Sequence, residues 1–399
     1  MCACALVFQH HGSQVDTSFQ ASERIRDYFV IQIKTLRSPH INAQSIQQQS
    51  LLKFSSLFAF LHRYHAALAD DICQAYVNTM RWYYLDQFSR YERALAKIKL
   101  HALEKTEVIG HTDAVRKTGV LSSSRPVRPH HDAFNLGRRA DILQSSNRTA
   151  LPSYLAEEMQ ETHHIETPFR NFNLALVDNA AVEYTFLVGF FSPPYPLSTV
   201  SRHFNSIFEP TFNLGLGLTK SVTSECFDGL GLLICVRLTQ QLAFELQRRK
   251  VPAMESYTNA TSMQLWPRLQ IVMDQHCDST RQMTAALATT PGSKSEQAKQ
   301  TTAPHMLTQQ FGQLLHGILA VSVDAGDDEP IITSLRRLRT EVETFLTRYS
   351  KSFSSDSRKG DRFLYNNYSL ILTIIGDVEG KLADQEREHF EQLRAPLQD

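Results

Sequence analysis

From about residue 22 to residue 375 the apolar residues return every three or four positions, the step that gathers them on one face of an α-helix. Ile25, Phe29, Ile33 and Leu36 form the first stripe and stop before Pro39, because the residue before a proline is pushed out of the α region. Phe54, Leu57, Phe58, Leu61 and Tyr64 form the second, with more aromatic bulk. The longest seam follows, with Ile72, Tyr76, Met80, Tyr84, Phe88, Tyr91, Leu95, Ile98 and Ala102 in step and Asp70 and Asp71 expected to cap it. At roughly 1.5 Å per residue such a helix is a rod of about 45 Å.

The pattern resumes at Pro168, expected in the first helical turn. Leu176, Ala180, Tyr184, Leu187 and Phe191 keep the helical step until Pro193 and Pro194 end it. A helix from about Ser198 carries Phe204, Ile207 and Phe208, with Pro210 expected to kink it. Leu230 to Leu246 runs into Arg248, Arg249 and Lys250, positive charge where a helix C-terminus favours it. Trp266, Leu269, Met273 and His276 continue the step around Pro267, which predicts a helix start or kink there, with Trp266 buried. Further stripes run from Leu307 to Ile318, from Ile332 to Phe353 and from Phe363 to Ile375, before a charged tail with little apolar face. No alternating strand pattern of comparable length competes. The fold class is all-α, with antiparallel helices in stacked bundles.

Interruptions divide the chain. Residues 1–21 are read as an N-terminal extension, 22–106 as an N-terminal bundle, and 107–167 as a basic loop or linker rich in Ser, Gly and Pro. Residues 168–283 form a central bundle, 284–303 a flexible insertion of Thr, Ala, Ser, Lys and Gln, and 304–399 a C-terminal bundle.

Composition narrows the function. Lys plus Arg equals Asp plus Glu at 41 each, so no global field favours nucleic acid or anionic lipid. Any such contact is local, and Arg125, Arg128, Arg138 and Arg139 in the 107–167 stretch are its candidates, as a partner-binding basic cluster. The six cysteines make no C-x-x-C pair and read as buried reduced thiols. The longest uninterrupted apolar runs, 186–191 and 230–236, are far shorter than a bilayer span needs. His130, His131 and Asp132, or His163, His164 and Glu166, have metal-ligand chemistry without H-E-x-x-H spacing. The run from Gly215 to Lys220 lacks phosphate-loop spacing and reads as helix packing. No catalytic constellation, metal site or cofactor is expected. Asp178 with Asn179, and Asn366 with Asn367, are polar residues inside apolar stripes, where hydrogen bonds that fix helix register are their ordinary purpose.

Six separated stretches carry a family resemblance. They are S-E-R-I-R-D-Y-F-V-I-Q-I-K from Ser22, F-N-L-G-R-R-A-D-I-L from Phe134, A-L-V-D-N-A-A-V-E-Y-T-F-L-V-G-F-F from Ala175, V-P-A-M-E-S-Y from Val251, L-W-P-R-L-Q-I-V-M from Leu265, and R-F-L-Y-N-N-Y-S-L-I-L from Arg362. In order and spacing they resemble the family of vacuolar protein sorting-associated protein 52, with Asp178, Asn179, Tyr184, Trp266, Pro267, Asn366, Asn367 and Tyr368 in the matching motifs. That resemblance implies a non-enzymatic, elongated helical subunit of the Golgi-associated retrograde protein complex, a tether for endosome-derived vesicles at the trans-Golgi network. It implies three companion subunits, a Rab-class small GTPase and SNARE proteins as partners, no nucleic acid, and peripheral association with the cytosolic face of trans-Golgi and endosomal membranes. Against the family pattern, residues 1–21 offer no heptads for the long N-terminal coiled coil, and the chain stops where the family continues into more helices. A reduced version lacking the assembly segment is the expectation. A helical scaffold without a trafficking role is the alternative.

Overall fold

The computed structural model describes residues 20–38, 41–101, 103–110, 134–144, 149–192, 194–289, 301–353 and 357–397. The protein is all-α. Helix α1 spans residues 20–35, and a short α2 (Ala43–Ile46) passes through a π-helical turn (Gln47–Leu51) and a 3-10 turn into α3 (Ser55–Tyr64). Then come α4 (Ala66–Leu95), a short α5 (Ser153–Glu158), α6 (Glu166–Phe191), α7 (Leu197–Thr223), α8 (Gly229–Arg248) and α9 (Glu255–Thr289). Four helices complete the chain: α10 (Met306–Ala320), α11 (Pro330–Ser350), α12 (Ser357–Ile374) and α13 (Lys381–Arg394). Among the described residues the only strands are two pairs, β1 (Lys99–Leu100) and β2 (Thr162–His163), joined in parallel.

The long helix α4 has the expected length but a different frame. It starts at Ala66 and ends at Leu95, so Asp70 lies inside it and accepts a hydrogen bond from the Tyr195 hydroxyl instead of capping. Asp228 caps α8: its side chain accepts from the Gly231 backbone N–H at 2.9 Å, satisfying one of the orphan donors of a helix N-terminus. Pro267 does not start a helix, since α9 runs unbroken from Glu255 to Thr289 with Pro267 exposed on it. Pro210 is likewise inside α7. Tertiary packing on both sides of each proline outweighs the one backbone bond each removes.

Two cores form, and long helices run through both. The first is aromatic: Phe29, Phe58, Tyr76, Tyr84, Phe172, Phe190, Phe191, Phe204 and Phe208 are all buried in it. Its rings meet in edge-on and stacked pairs, Phe58–Phe191 at 5.2 Å and Tyr84–Phe208 at 4.6 Å, geometries favoured by the ring quadrupole. The second is aliphatic, gathering residues 230–238 of α8 with Leu269, Met273, Leu315, Leu335, Phe345 and Ile371. Helix α6 gives Phe169 to the aliphatic core and Phe172 onward to the aromatic one, and α9 gives Tyr257 to the aromatic core and Leu265 onward to the aliphatic one.

Two expectations change here. The 107–167 stretch is not all surface loop: Ile109, Phe134, Leu136 and Ile165 are buried in the aliphatic core. The charged tail, read as helical in composition with little apolar face, folds as α13 and does bury Ala383 and Phe390. Helices α6 and α8 are also long and apolar enough to cross a membrane by length and composition. Half and two-thirds of their most apolar windows are buried inside the protein, so packing against other helices accounts for that apolarity.

Candidate functional site

Of the four arginines read as one basic cluster, the described residues hold Arg138 and Arg139, and these two face opposite ways. Arg125 and Arg128 lie outside the described residues. Arg138 points outward, its side chain 95% exposed and paired only with Asp141 at 3.1 Å. Arg139, 10% exposed, turns inward at the 3-10 turn Arg139–Leu143 and bridges two buried carboxylates, Glu166 at 2.7 Å and Asp228 at 2.6 Å. A guanidinium fork accepted on both sides is engaged within the fold, so Arg139 is corrected from a candidate partner contact to a buried structural ion. Burial disfavours its charge, yet the adjacent Asp228 and Glu166 more than offset that and raise its pKa. The site needs a small neighbour: a Cβ at Gly231 would lie 2.7 Å from the Arg139 guanidinium.

In and around this triad lie His163, His164 and Glu166, residues with metal-ligand chemistry. Glu166 is held by Arg139, and His164, pushed down to about 4 by burial and by the Arg139 charge, stands 3.9 Å from Asp228. Among the described residues no group of three His, Cys, Asp or Glu side chains gathers as a metal site. His130, His131 and Asp132 lie outside the described residues. The triad borders a cleft of about 350 Å³ between the ends of α4 and α7, lined by Leu95, His101, Val222, Glu225 and Phe227 among others.

A second buried polar centre went unread in the sequence. Glu183 on α6 is fully buried in the aromatic core, and its carboxylate accepts from the Tyr76 hydroxyl (2.7 Å), the Tyr84 hydroxyl (2.9 Å) and the Gln47 amide (2.7 Å). Burial raises the Glu183 pKa against the three donors that lower it. Gln47, the first residue of the π-helical turn, thereby fastens the N-terminal segment to α4 and α6. The signal was present: Glu183 is three residues after Ala180 and four before Leu187, on the buried step of α6.

The family-motif residues divide by position. Asp178 pairs with Arg249 at 2.7 Å, and Asn179 donates to the Ala175 carbonyl within its own helix. Tyr184 is half-buried, edge-on to Phe204. Asn367 is buried, accepting from the His305 N–H and the Thr308 hydroxyl and donating to the Phe363 carbonyl, while Asn366 donates to the Thr302 carbonyl. These bonds tie α12 to the start of α10. Tyr368 is buried, its ring 6.1 Å from that of Phe390. Trp266, expected inside, is only half-buried at the rim of the aliphatic core. The run from Gly215 to Lys220 is helical, and Gly215 admits Tyr257, whose hydroxyl would be 2.4 Å from an added Cβ.

Four described cysteines are free. Burial pushes the Cys73 and Cys226 thiols up to about 12 and Cys277 to about 11, the opposite of what an activated nucleophile requires. His276 is buried with its pKa lowered to about 4, and its Nδ1 accepts from the Ile109 backbone N–H at 3.2 Å.

The architecture is thus that of an all-α protein whose buried polar groups join helix to helix. Comparison with known proteins gives this class a family: the model described as "Vps52, C-terminal" matches residues 78–399, and that described as "Vps52/Sac2 family, coiled-coil" matches residues 18–61. The chain belongs to the Vps52 family. It is 31% identical to vacuolar protein sorting-associated protein 52 of Schizosaccharomyces pombe, over 95% of this chain and 72% of that relative. It is 32% identical to the Saccharomyces cerevisiae protein of the same name, over 88% of this chain and 59% of the relative. For the human homologue the identity is 27%, over 94% of this chain and 50% of the relative. Against most of these relatives the chain spans between half and three-fifths of their length. The coiled-coil match falls on α1 to α3, which the chain builds as short amphipathic helices.

Proposed function

We propose that this protein is a non-enzymatic subunit of a multisubunit vesicle tether, acting in transport from endosomes to the trans-Golgi network. The observation that carries this reading is the collinear family match, which takes residues 18–61 and 78–399, together with relatives named for vacuolar protein sorting. The helical body supplies what such a subunit requires: several long helices held in fixed register by buried polar pairs, with outer faces free to meet other chains. Its partners on this reading are the other subunits of the Golgi-associated retrograde protein complex, a Rab-class GTPase and SNARE proteins, met on the cytosolic face of trans-Golgi and endosomal membranes. The helices stack into an elongated rod.

The test is recovery of a tagged copy from its own cells, followed by identification of co-purifying proteins. Stoichiometric companion tether subunits support the reading. A tagged chain recovered without any of them, under conditions where those subunits recover one another, supports a helical scaffold without a trafficking role.

A further inference from the structure

We propose that the outer face of α3 is a contact surface for an anionic lipid bilayer. The inference deepens the tethering reading and rests on its peripheral membrane role. Helix α3 is apolar on two sides. Phe58 and Leu61 are buried, and Phe58 packs on Phe190 and Phe191 at about 5 Å. The flanking side presents Leu57, 37% exposed, and Tyr64, 57% exposed, with the half-buried Phe60 between them and its ring 4.7 Å from that of Tyr64. Residues 57, 60 and 64 follow the i, i+3, i+7 step of one helix face. None of this outer set belongs to either core.

Charge beside the stripe has one sign. Lys53 lies 5.7 Å over the Phe54 ring and Arg63 5.7 Å over the Tyr64 ring, both exposed, and neither pairs with a described carboxylate. From Tyr28 to Ala69 the sequence holds Lys34, Arg37, Lys53 and Arg63 and no Asp or Glu at all, although the whole chain is balanced at 41 of each sign. The first acid beyond, Asp70, accepts from the Tyr195 hydroxyl. Exposed Leu and Tyr with a half-buried Phe, beside Lys and Arg whose stems lie along aromatic rings, is interfacial chemistry: the rings sit at the headgroup level and the cations reach the lipid phosphates. A partner helix fits less well, because residues 57–64 span about one heptad whereas a two-helix zipper needs three or four. Of the 107–167 cluster, Arg139 is occupied by Glu166 and Asp228 and takes no part in such a surface.

The experiment uses the purified full chain with phosphatidylcholine vesicles, with and without phosphatidylserine, read by flotation. Binding is expected only with phosphatidylserine present, and weaker as salt rises. Lys53→Glu with Arg63→Glu should lose at least about fivefold per charge removed. Leu57→Ser with Tyr64→Ser alters only exposed side chains and should also abolish flotation, whereas Phe244→Ser, an exposed ring on α8, should change nothing. Circular dichroism and the unfolding midpoint establish that each variant is folded. The proposal is overturned if wild type ignores the acidic vesicles, if it binds neutral ones equally, or if both α3 variants float like wild type. Loss of a partner subunit in those variants, with no vesicle binding by wild type, assigns the face to a protein contact instead. Failure here with tether subunits still co-purifying would leave the proposed function standing.

Discussion

Arg138 and Arg139 are neighbours in the chain with opposite surroundings. Arg138 can lose its charge with an expected effect within about 0.5 kcal/mol, as for other exposed ion pairs. Arg139→Ser strands Glu166 and Asp228 in a site with no other described cation, and should destabilise the fold by about 3–5 kcal/mol. Urea unfolding of the two single variants decides this, and equal midpoints would refute the buried triad. Glu183 makes the complementary case. Glu183→Ala removes the shared acceptor of Tyr76, Tyr84 and Gln47 and is expected to cost about 2–4 kcal/mol, while Glu183→Gln, which keeps an acceptor oxygen, should cost less. Thermal unfolding of both orders them.

Among elements, α6, α8 and α9 set the architecture because each packs in both cores. A helix of 26 residues such as α6 is about 39 Å long, enough to leave one core and enter the next without a turn. The apolar spacing made these helices legible, together with most of their ends, since periodicity is a local property. At Pro267 the spacing left a helix start or a kink open, and α9 runs through the proline, which excludes the start, because tertiary packing carries the helix past it. Pro267 is exposed and gives no N–H to the preceding turn. Pro267→Ala is therefore expected to raise stability by about 1–2 kcal/mol. An unchanged or lower melting midpoint would mean that packing around α9 depends on the proline.

The whole molecule carries a pH dependence that no single stripe announces. His276 is neutral in the fold, its pKa lowered to about 4 by burial, and its Nδ1 is the acceptor for Ile109. A group with a depressed folded pKa stabilises above its unfolded pKa, and that contribution disappears as pH falls through the folded value. Stability should drop between roughly pH 6.5 and 4, by about 3 kcal/mol from His276, with the partly exposed His164 acting in the same direction. Glu183 and Glu166, whose pKa values burial raises, act in reverse: their contribution is present at low pH and lost as pH rises above the ordinary carboxylate range. His276→Asn keeps an acceptor and removes the titration, so its unfolding midpoint should fall less on acidification than that of wild type. Parallel losses in both proteins would remove His276 as the cause.

The chain by itself determined that the protein is all-α, where its principal helices lie, and which family its six motifs resemble, because helical spacing and motif order are properties of neighbours in sequence. It also marked Asn366 and Asn367 as polar residues inside an apolar stripe, and they hydrogen-bond to Thr302, His305 and Thr308. Only the tertiary structure decided which charges face inward. Arg139, Glu166 and Asp228 are separated by 27 and 62 positions along the chain, and Gln47 meets Glu183 across 136. Composition registers such residues as ordinary surface charge, since burial of an ion depends on partners that only long-range packing brings within hydrogen-bond reach.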